Sequence, residues 1–290
     1  MGFTEVHIHD NSPDSNLLSW NATRFGAVRV YPTPNHTGDL HGNFSSRPDF
    51  ELNRWHNAQL LACVQMLQAK PIETRPKYVS IFDVDEFLVL RNHMSVGDFL
   101  QDTIGDQGGA IQVNRRVYGT DHHVYDLDFP VTLRFWKRVG TAEKGTKVLA
   151  VLDGIVDAVV HTVVYANESV PVRTFSGKEL QNLCCAPHPI EPLPAAFHHY
   201  YTKSLEEFGR RQWCDSTGCH LLSGRRLFEG RVDDRDAWRF LSRNVPKYKR
   251  LLTQYKKAVR AKYGSMENRL ELYQRRKEEL VGSRSNQTEE

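Results

Sequence analysis

The stretch from Lys77 to Leu90, KYVSIFDVDEFLVL, constrains this chain more than any other. An apolar run from Tyr78 to Phe82 breaks off at three acids, Asp83, Asp85 and Glu86, and the apolar pattern resumes at Phe87. A run that is apolar at successive rather than alternate positions reads as a strand buried on both faces. A carboxylate carried into such surroundings costs on the order of several kcal/mol unless a cation or hydrogen bonds meet it. Side chains at i and i+2 of an extended strand share a face. Asp83 and Asp85 are therefore expected to project together from the carboxyl end of the strand, the edge at which open α/β sheets bind ligands. A divalent ion is the expected partner, with Asp85 a direct ligand of Mn²⁺ or Mg²⁺ and Asp83 on the metal or on a ribose. The plain alternative is a strand end finished by solvated acids.

The rest of the chain reads as alternating strands and helices. Residues 3–10 and 27–31 are expected strands, each followed by turn-forming residues. Helical spacing over 49–69 stops at Pro71. Ser95 is placed to cap a short helix reaching Leu100. Strands are expected over 110–114, 131–135, 147–152 and 155–164, and irregular structure over 165–195. From Lys203 the chain turns helical. Pro246 and Gly264 bracket one helix, whose Tyr248, Leu251, Leu252, Tyr255 and Val259 form an apolar stripe. This order predicts an α/β fold, a three-layer α/β/α arrangement with a mixed sheet and a C-terminal helical segment. The expected division is a domain over 1–212, a helical annex over 213–280 and a flexible tail over 281–290.

Bulk properties narrow the partners. The 290 residues, 40% hydrophobic and 25% charged, suit a globular chain. The net charge of +3 hides an asymmetry, since residues 1–200 are net acidic and 201–290 net basic. Those basic residues are interleaved with acids and lack an aromatic stacking platform, which argues against nucleic acid. No run approaches the roughly 18 apolar residues of a membrane span, and the residues after Met1 read as a strand rather than a signal peptide. Cys184, Cys185, Cys214 and Cys219 fall in loop-like sequence at spacings foreign to zinc motifs. Asn-x-Ser/Thr sequons stand at Asn21, Asn35, Asn43, Asn167 and Asn286. Cysteines and sequons together favour a secretory-pathway lumen, with any disulfide pairing open.

Two further blocks carry chemistry. In the first, His199-Tyr200-Tyr201-Thr202-Lys203-Ser204, His199 is a candidate third metal ligand and Lys203 a candidate phosphate contact at a helix start. The same residues also read as a plain helix start, with Thr202 or Ser204 as N-cap answered by Glu206 or Glu207. In the second, Tyr118-Gly119-Thr120-Asp121-His122-His123, Asp121 is a candidate general base, as is Glu207; otherwise this is a polar loop. Lys147 faces either a diphosphate or solvent. His161 reads as a core histidine and Cys63 as structural.

Taken together, Asp10-Asn11-Ser12, Gln59 to Cys63, Asp83-Val84-Asp85-Glu86-Phe87, Tyr118 to His122, Lys147, His161 and His199 to Ser204 resemble glycosyltransferase family 92 over about residues 2–212. The resemblance implies a GT-A fold and Mn²⁺-assisted transfer of a sugar, galactose in the related enzymes, from a UDP-sugar to a glycan or glycoprotein hydroxyl, with inversion. It assigns Asp83, Asp85 and His199 to the metal, and Asp10, Asn11, Asp83, Lys147 and Lys203 to the sugar nucleotide. Members of the family begin with a further strand and helix. In this sequence Met1 falls inside the corresponding fold, so either the start lies upstream, with a Golgi membrane anchor, or that first βα unit is missing, which would leave the nucleotide pocket incomplete. Two rival readings stand beside it. A haloacid-dehalogenase-like phosphatase would use Asp83 as nucleophile and Asp85 as acid–base, with Asp233-Asp234 as distal acids; Glu86-Phe87 departs from that pattern. The other rival is a non-catalytic lumenal domain that binds glycans or partners.

Overall fold

The computed structural model describes residues 6–10, 28–32, 60–105, 108–140, 145–159, 161–175, 177, 193–210, 212–215, 218–221 and 230–285. Strands β1 (Val6–Asp10) and β2 (Val28–Pro32) pair in parallel where the sequence predicts strands. Helix α1 occupies 60–68, and its expected first half lies outside the described residues. Next come β3 (Tyr78–Ile81), β4 (Glu86–Leu90), α2 (Val96–Thr103), β5 (Ala110–Val117), α3 (Val131–Arg134), β6 (Lys137–Arg138) and β7 (Thr146–Val151). Then follow β8 (Ile155–Val159), β9 (Thr162–Tyr165), β10 (Val172–Thr174), β11 (Ala195–His199) and α4 (Leu205–Arg210). The hairpin β12 (Gln212–Asp215) and β13 (Gly218–Leu221) sets Cys214 opposite Cys219. The chain closes with β14 (Val232–Asp233), α5 (Asp236–Asn244), α6 (Tyr248–Tyr263) and α7 (Met266–Ser285).

The central sheet has six strands in the order β3-β7-β5-β11-β4, with β10 also on β5. β3, β5, β10 and β11 run one way and β4 and β7 the other, so the sheet is mixed, as expected. Val64 and Leu67 of α1 pack with Ala110, Val148 and Ala150. Phe99 and Leu100 of α2 pack with Ile111, Val113 and Leu149. Alternate residues of a strand face opposite ways, so the two helices cover opposite faces of the sheet. Ser95 caps α2 by accepting from the Asp98 N–H at 3.1 Å, as its sequence predicts. Gly264 ends α6 at φ +73°, a conformation that costs glycine no Cβ clash.

Several expectations change. The run at Tyr78 is a half-buried edge strand rather than a buried one, and it ends at Ile81. Asp83, Val84 and Asp85 form a turn, so the same-face rule for an extended strand does not apply to them. Residues 131–135 make a helical turn because Pro130 fixes a start from which the Leu133 and Arg134 N–H groups bond back to the Pro130 carbonyl. The apolar stretch 155–164 folds back on itself as the β8–β9 hairpin. β10 lies inside the segment 165–195 expected to be irregular and β11 begins at its last residue, Ala195, because strands of three and five residues are too short to show periodicity. α7 continues to Ser285, past the expected start of the tail. Among the described residues no helix is long and apolar enough to cross a membrane.

Candidate functional site

The register brings the carboxyl ends of β3, β5 and β11 to one edge of the sheet. β3 leads into the Asp83 turn, β5 into Tyr118–His123 and β11 into Tyr200–Ser204. The turn is fixed by its own backbone. The Glu86 N–H donates to the Asp83 carbonyl at 3.0 Å, and the Tyr200 N–H to the Asp85 carbonyl at 3.0 Å. The Asp83 N–H donates to Glu86 Oε2 at 3.2 Å. Val84 at the tip is 84% exposed.

Lys147, Arg115, Glu86 and His199 converge beneath this turn. Lys147 Nζ donates to Asp83 Oδ2 at 2.9 Å and lies 3.2 Å from Glu86 Oε2. Arg115 Nη1 stands 3.5 Å from Glu86 Oε1. His199 Nδ1 is 3.8 Å from Glu86 Oε1, and its Nε2 is 3.6 Å from Asp85 Oδ1. Lys147 and Glu86 are fully buried, whereas the Asp83 side chain is 56% exposed. The acid that the fold buries is thus Glu86, not the Asp pair. Gly145 makes room for Arg115: a Cβ there would stand 2.4 Å from the guanidinium.

The electrostatics follow from these positions. Burial raises the Asp83 carboxyl, but Lys147 outweighs it and holds the group below its ordinary value. Burial of Glu86 prevails over Lys147 and lifts that carboxyl above its ordinary value. Burial pushes His199 down to about 4, against the pull of Asp85, so its imidazole is neutral at pH 7 and able to offer a lone pair. His161 is half-buried and donates from Nδ1 to the Thr146 carbonyl at 2.7 Å. Burial likewise lowers it, and it lies within the field of Lys147, Arg115 and Asp83.

Asp121 and His122 follow β5 with φ of 47° and 58°, and Lys203 follows β11 with φ of 58°. They are the non-glycine residues with positive φ among those described, and they sit in the two loops that the sequence singles out. Such strain costs on the order of 1–3 kcal/mol per residue and clusters at functional sites. Asp121 is buried with Lys137 Nζ 3.9 Å away, and Arg269 donates to its backbone carbonyl. Burial raises its carboxyl to about 7 against the pull of Arg269 and Lys137. Glu207 is placed differently. It completes a capping box, accepting from the Ser204 N–H at 3.1 Å while its own N–H donates to Ser204 Oγ at 3.2 Å. It also accepts both Arg134 Nη groups at 2.7 and 3.0 Å. Burial opposes ionisation there, but the hydrogen bonds from Arg134 and Ser204 prevail and hold the carboxyl below its ordinary value. The helices of the expected annex close over the Asp121 loop: Tyr255 Oη lies 2.6 Å from His123 Nε2, and Thr120 Oγ1 donates to Tyr273 Oη at 2.8 Å.

The fold therefore gathers Asp83, Asp85, Lys147 and His199, and it sets Asp121 and Lys203 in strained loops at the carboxyl ends of the neighbouring strands. Glu207 is bound into an ion pair and a cap. Asp10 ends β1 beside Pro32, and Asn11 lies outside the described residues. Arg115 was not legible as a site residue. Its signal was a pair of arginines, Arg115-Arg116, inside a strand whose other residues are mostly apolar.

As they stand, no three His, Cys, Asp or Glu side chains among the described residues are spaced to hold a metal ion. The donor chemistry nonetheless fits Mn²⁺ or Mg²⁺. Asp85 offers oxygen, His199 a neutral imidazole, and Glu86 Oε1 is buried without a hydrogen bond. Asp83 meets Lys147 through Oδ2, so it would join that set by sharing its carboxylate with the ammonium or by leaving it. No family model matches the chain, and no curated protein sequence matches it.

Proposed function

We propose that this protein is a metal-dependent glycosyltransferase of GT-A type, moving a sugar (galactose, if the resemblance carries to the donor) from a UDP-sugar to a glycan hydroxyl with inversion. The observation that carries the reading is the convergence of Asp83, Asp85, Glu86, Lys147, Arg115 and His199 at the shared carboxyl ends of β3, β5 and β11. That edge is the ligand-binding edge of α/β sheets. A bound divalent ion would offset charge on the diphosphate and the departing nucleotide. Asp85 and His199 would hold it, joined by the Asp83 carboxylate.

The chain's own residues do the rest. Lys147 and Arg115 are fixed cations beside the acids, suited to phosphate oxygens. Asp121, with a pKa of about 7, suits a general base at neutral pH. The acceptor oxygen attacks the anomeric carbon as its proton passes to Asp121. The bond from that carbon to the diphosphate breaks, and UDP leaves with the electron pair. A single displacement of this kind inverts the centre. Sequons and cysteine content favour the secretory pathway as the compartment, the Golgi in the resembling family.

One observation favours the phosphatase reading, because a lysine on the first acid of an Asp-x-Asp pair suits a phosphate-binding nucleophile. Titration calorimetry of UDP with and without Mn²⁺ tests the transferase, with Asp85→Ala as control. Mn²⁺-dependent binding that the variant loses is the expected result. No binding in either state, with turnover of a generic phosphomonoester, would replace the transferase by the phosphatase.

A further inference from the structure

Arg115 and Arg116 point to opposite faces of the sheet. The register pairs Arg116 with His198 and Arg115 with Phe197, so Arg116 and His198 share the face turned away from Glu86, Lys147 and His199. α5 packs against β4 and begins at Asp236, which accepts from Arg116, while the β6–β14 pair brings Arg138 and Asp234 to the same arginine. Between them lies a cavity of about 350 Å³. It is lined by five arginines, Arg91, Arg116, Arg138, Arg235 and Arg239, and by three acids, Asp233, Asp234 and Asp236.

Two of the acids hold the arginines in place. Asp236 Oδ2 accepts from Arg91 Nη2 at 2.7 Å and Arg116 Nη1 at 3.0 Å, and its Oδ1 from Arg239 Nη1 at 3.1 Å. Asp234 Oδ2 accepts from Arg116 Nη1 at 2.9 Å and lies 3.2 Å from Arg138 Nε. Asp234 Oδ1 takes the Asp236 N–H at 3.0 Å. Asp233 is mostly exposed and meets Arg235 only at 3.8 Å. The Arg235 guanidinium spreads over Trp136 and Trp238, 4.9 and 5.6 Å from the ring centroids.

Among the described residues the lining sets five cations against three anions, an excess of two positive charges. Five guanidinium groups bring roughly 25 N–H donors, and three carboxylates accept roughly 12 hydrogen bonds. Arg235 and Arg239, 51% and 72% exposed, keep donors at the open side of the cavity. A doubly charged tetrahedral oxyanion matches both the charge and the donors, and planar guanidinium groups are the preferred partners of such ions. A second cavity of about 710 Å³ adjoins the first, sharing Arg91, Asp236 and Arg239 and adding Leu90, Arg243 and Lys249. Both volumes fall within the range of small-molecule sites.

We propose that this paired cavity binds a phosphate or sulfate monoester, the oxyanion among Arg91, Arg138, Arg235 and Arg239 above Arg116, and the esterified group in the adjoining space. The site is independent of the transferase reading, since it uses none of the residues around Asp85.

Because Arg235 lies on both tryptophans, occupancy is readable from intrinsic fluorescence. The full chain is titrated at constant ionic strength with inorganic phosphate, inorganic sulfate, a sugar phosphate, a sugar sulfate and the uncharged sugar. One saturable site per chain is expected, with the esters at least tenfold tighter than the free ions and no response to the uncharged sugar. Arg239 is 72% and Arg235 51% exposed, so Arg239→Gln and Arg235→Gln leave the fold intact by circular dichroism. Each is expected to weaken ester binding at least tenfold by calorimetry, which does not depend on the tryptophan signal. Asp85→Ala is expected to bind the esters unchanged. Absence of saturation, or equal binding in both arginine variants and the parent protein, overturns the site. Equal affinity for free ions and esters overturns the ester.

Discussion

The ammonium of Lys147 lies 2.9 Å from the carboxylate of Asp83, so the one exposed acid of the Asp-x-Asp pair is held by a fully buried cation. The same ammonium is shared with Glu86, 3.2 Å away, and Glu86 has no access to solvent. Lys147 thus serves the acids in two ways. It compensates a buried charge, and it competes with any ion for Asp83.

Lys147→Met tests both roles. Removing one partner of a buried pair costs about 3–5 kcal/mol, and a loss of that size is expected in urea denaturation at pH 7. Adding Glu86→Gln is expected to recover much of it, because the stranded charge goes too. In Lys147→Met alone, at temperatures where it stays folded, Mn²⁺ titration is expected to give a tighter affinity than that of the parent. Unchanged affinity would remove Asp83 from the ligand set.

Asp121 predicts a pH dependence of stability. Its folded pKa of about 7 lies above the unfolded value of about 3.9. Between those values the folded state holds the proton that the unfolded state has lost, so stability falls as pH rises, and it levels off above the folded value. Three pH units correspond to on the order of 4 kcal/mol. Asp121→Asn cannot ionise and Asn tolerates positive φ. The variant is expected to match the parent at pH 4 and to exceed it increasingly up to pH 7, measured by denaturation midpoints across that range.

The two candidate bases separate by what their loss changes. Glu207→Ala removes the return arm of the Ser204 capping box and the two-pronged pair with Arg134, which keeps its bond to Asp126, and this predicts a loss of about 2 kcal/mol. Because its folded pKa is depressed, that loss is present at neutral pH and shrinks as pH falls below the ordinary glutamate range. Activity per folded molecule is expected to change little in Glu207→Ala. In Asp121→Asn it is expected to fall by roughly 10²-fold or more. The opposite pattern in a UDP-release assay would exchange the two roles.

Two glycines near the sheet predict a ranking. A Cβ at Gly145 would meet the movable end of Arg115, whereas at Gly109 (φ +93°) it would meet the Pro171 carbonyl at 2.4 Å. Gly145→Ala is expected to cost about 1 kcal/mol and Gly109→Ala about 3 kcal/mol, because backbone cannot step aside as a side chain can. Thermal unfolding of the two variants checks the order.

The sequence by itself determined where chemistry-bearing residues cluster along the chain. Caps and stripes act over a few residues, so Ser95, the Ser204–Glu207 box, Gly264 and the Tyr248–Val259 stripe were all readable locally. Asp83, Asp85, Lys147 and His199 were readable as candidates for the same reason, because acids, lysine and histidine beside apolar strands are locally conspicuous. Only the tertiary structure decided which of them meet. Strand order and register depend on contacts between distant residues, and these made Tyr78–Ile81 an edge strand and turned Arg115 toward Glu86 and Arg116 toward Asp234. They also buried Glu86 rather than its aspartate neighbours. A one-residue alternation along β5 thus separates two charged sites on opposite faces, since the direction of a side chain is fixed by pairing that no local pattern encodes.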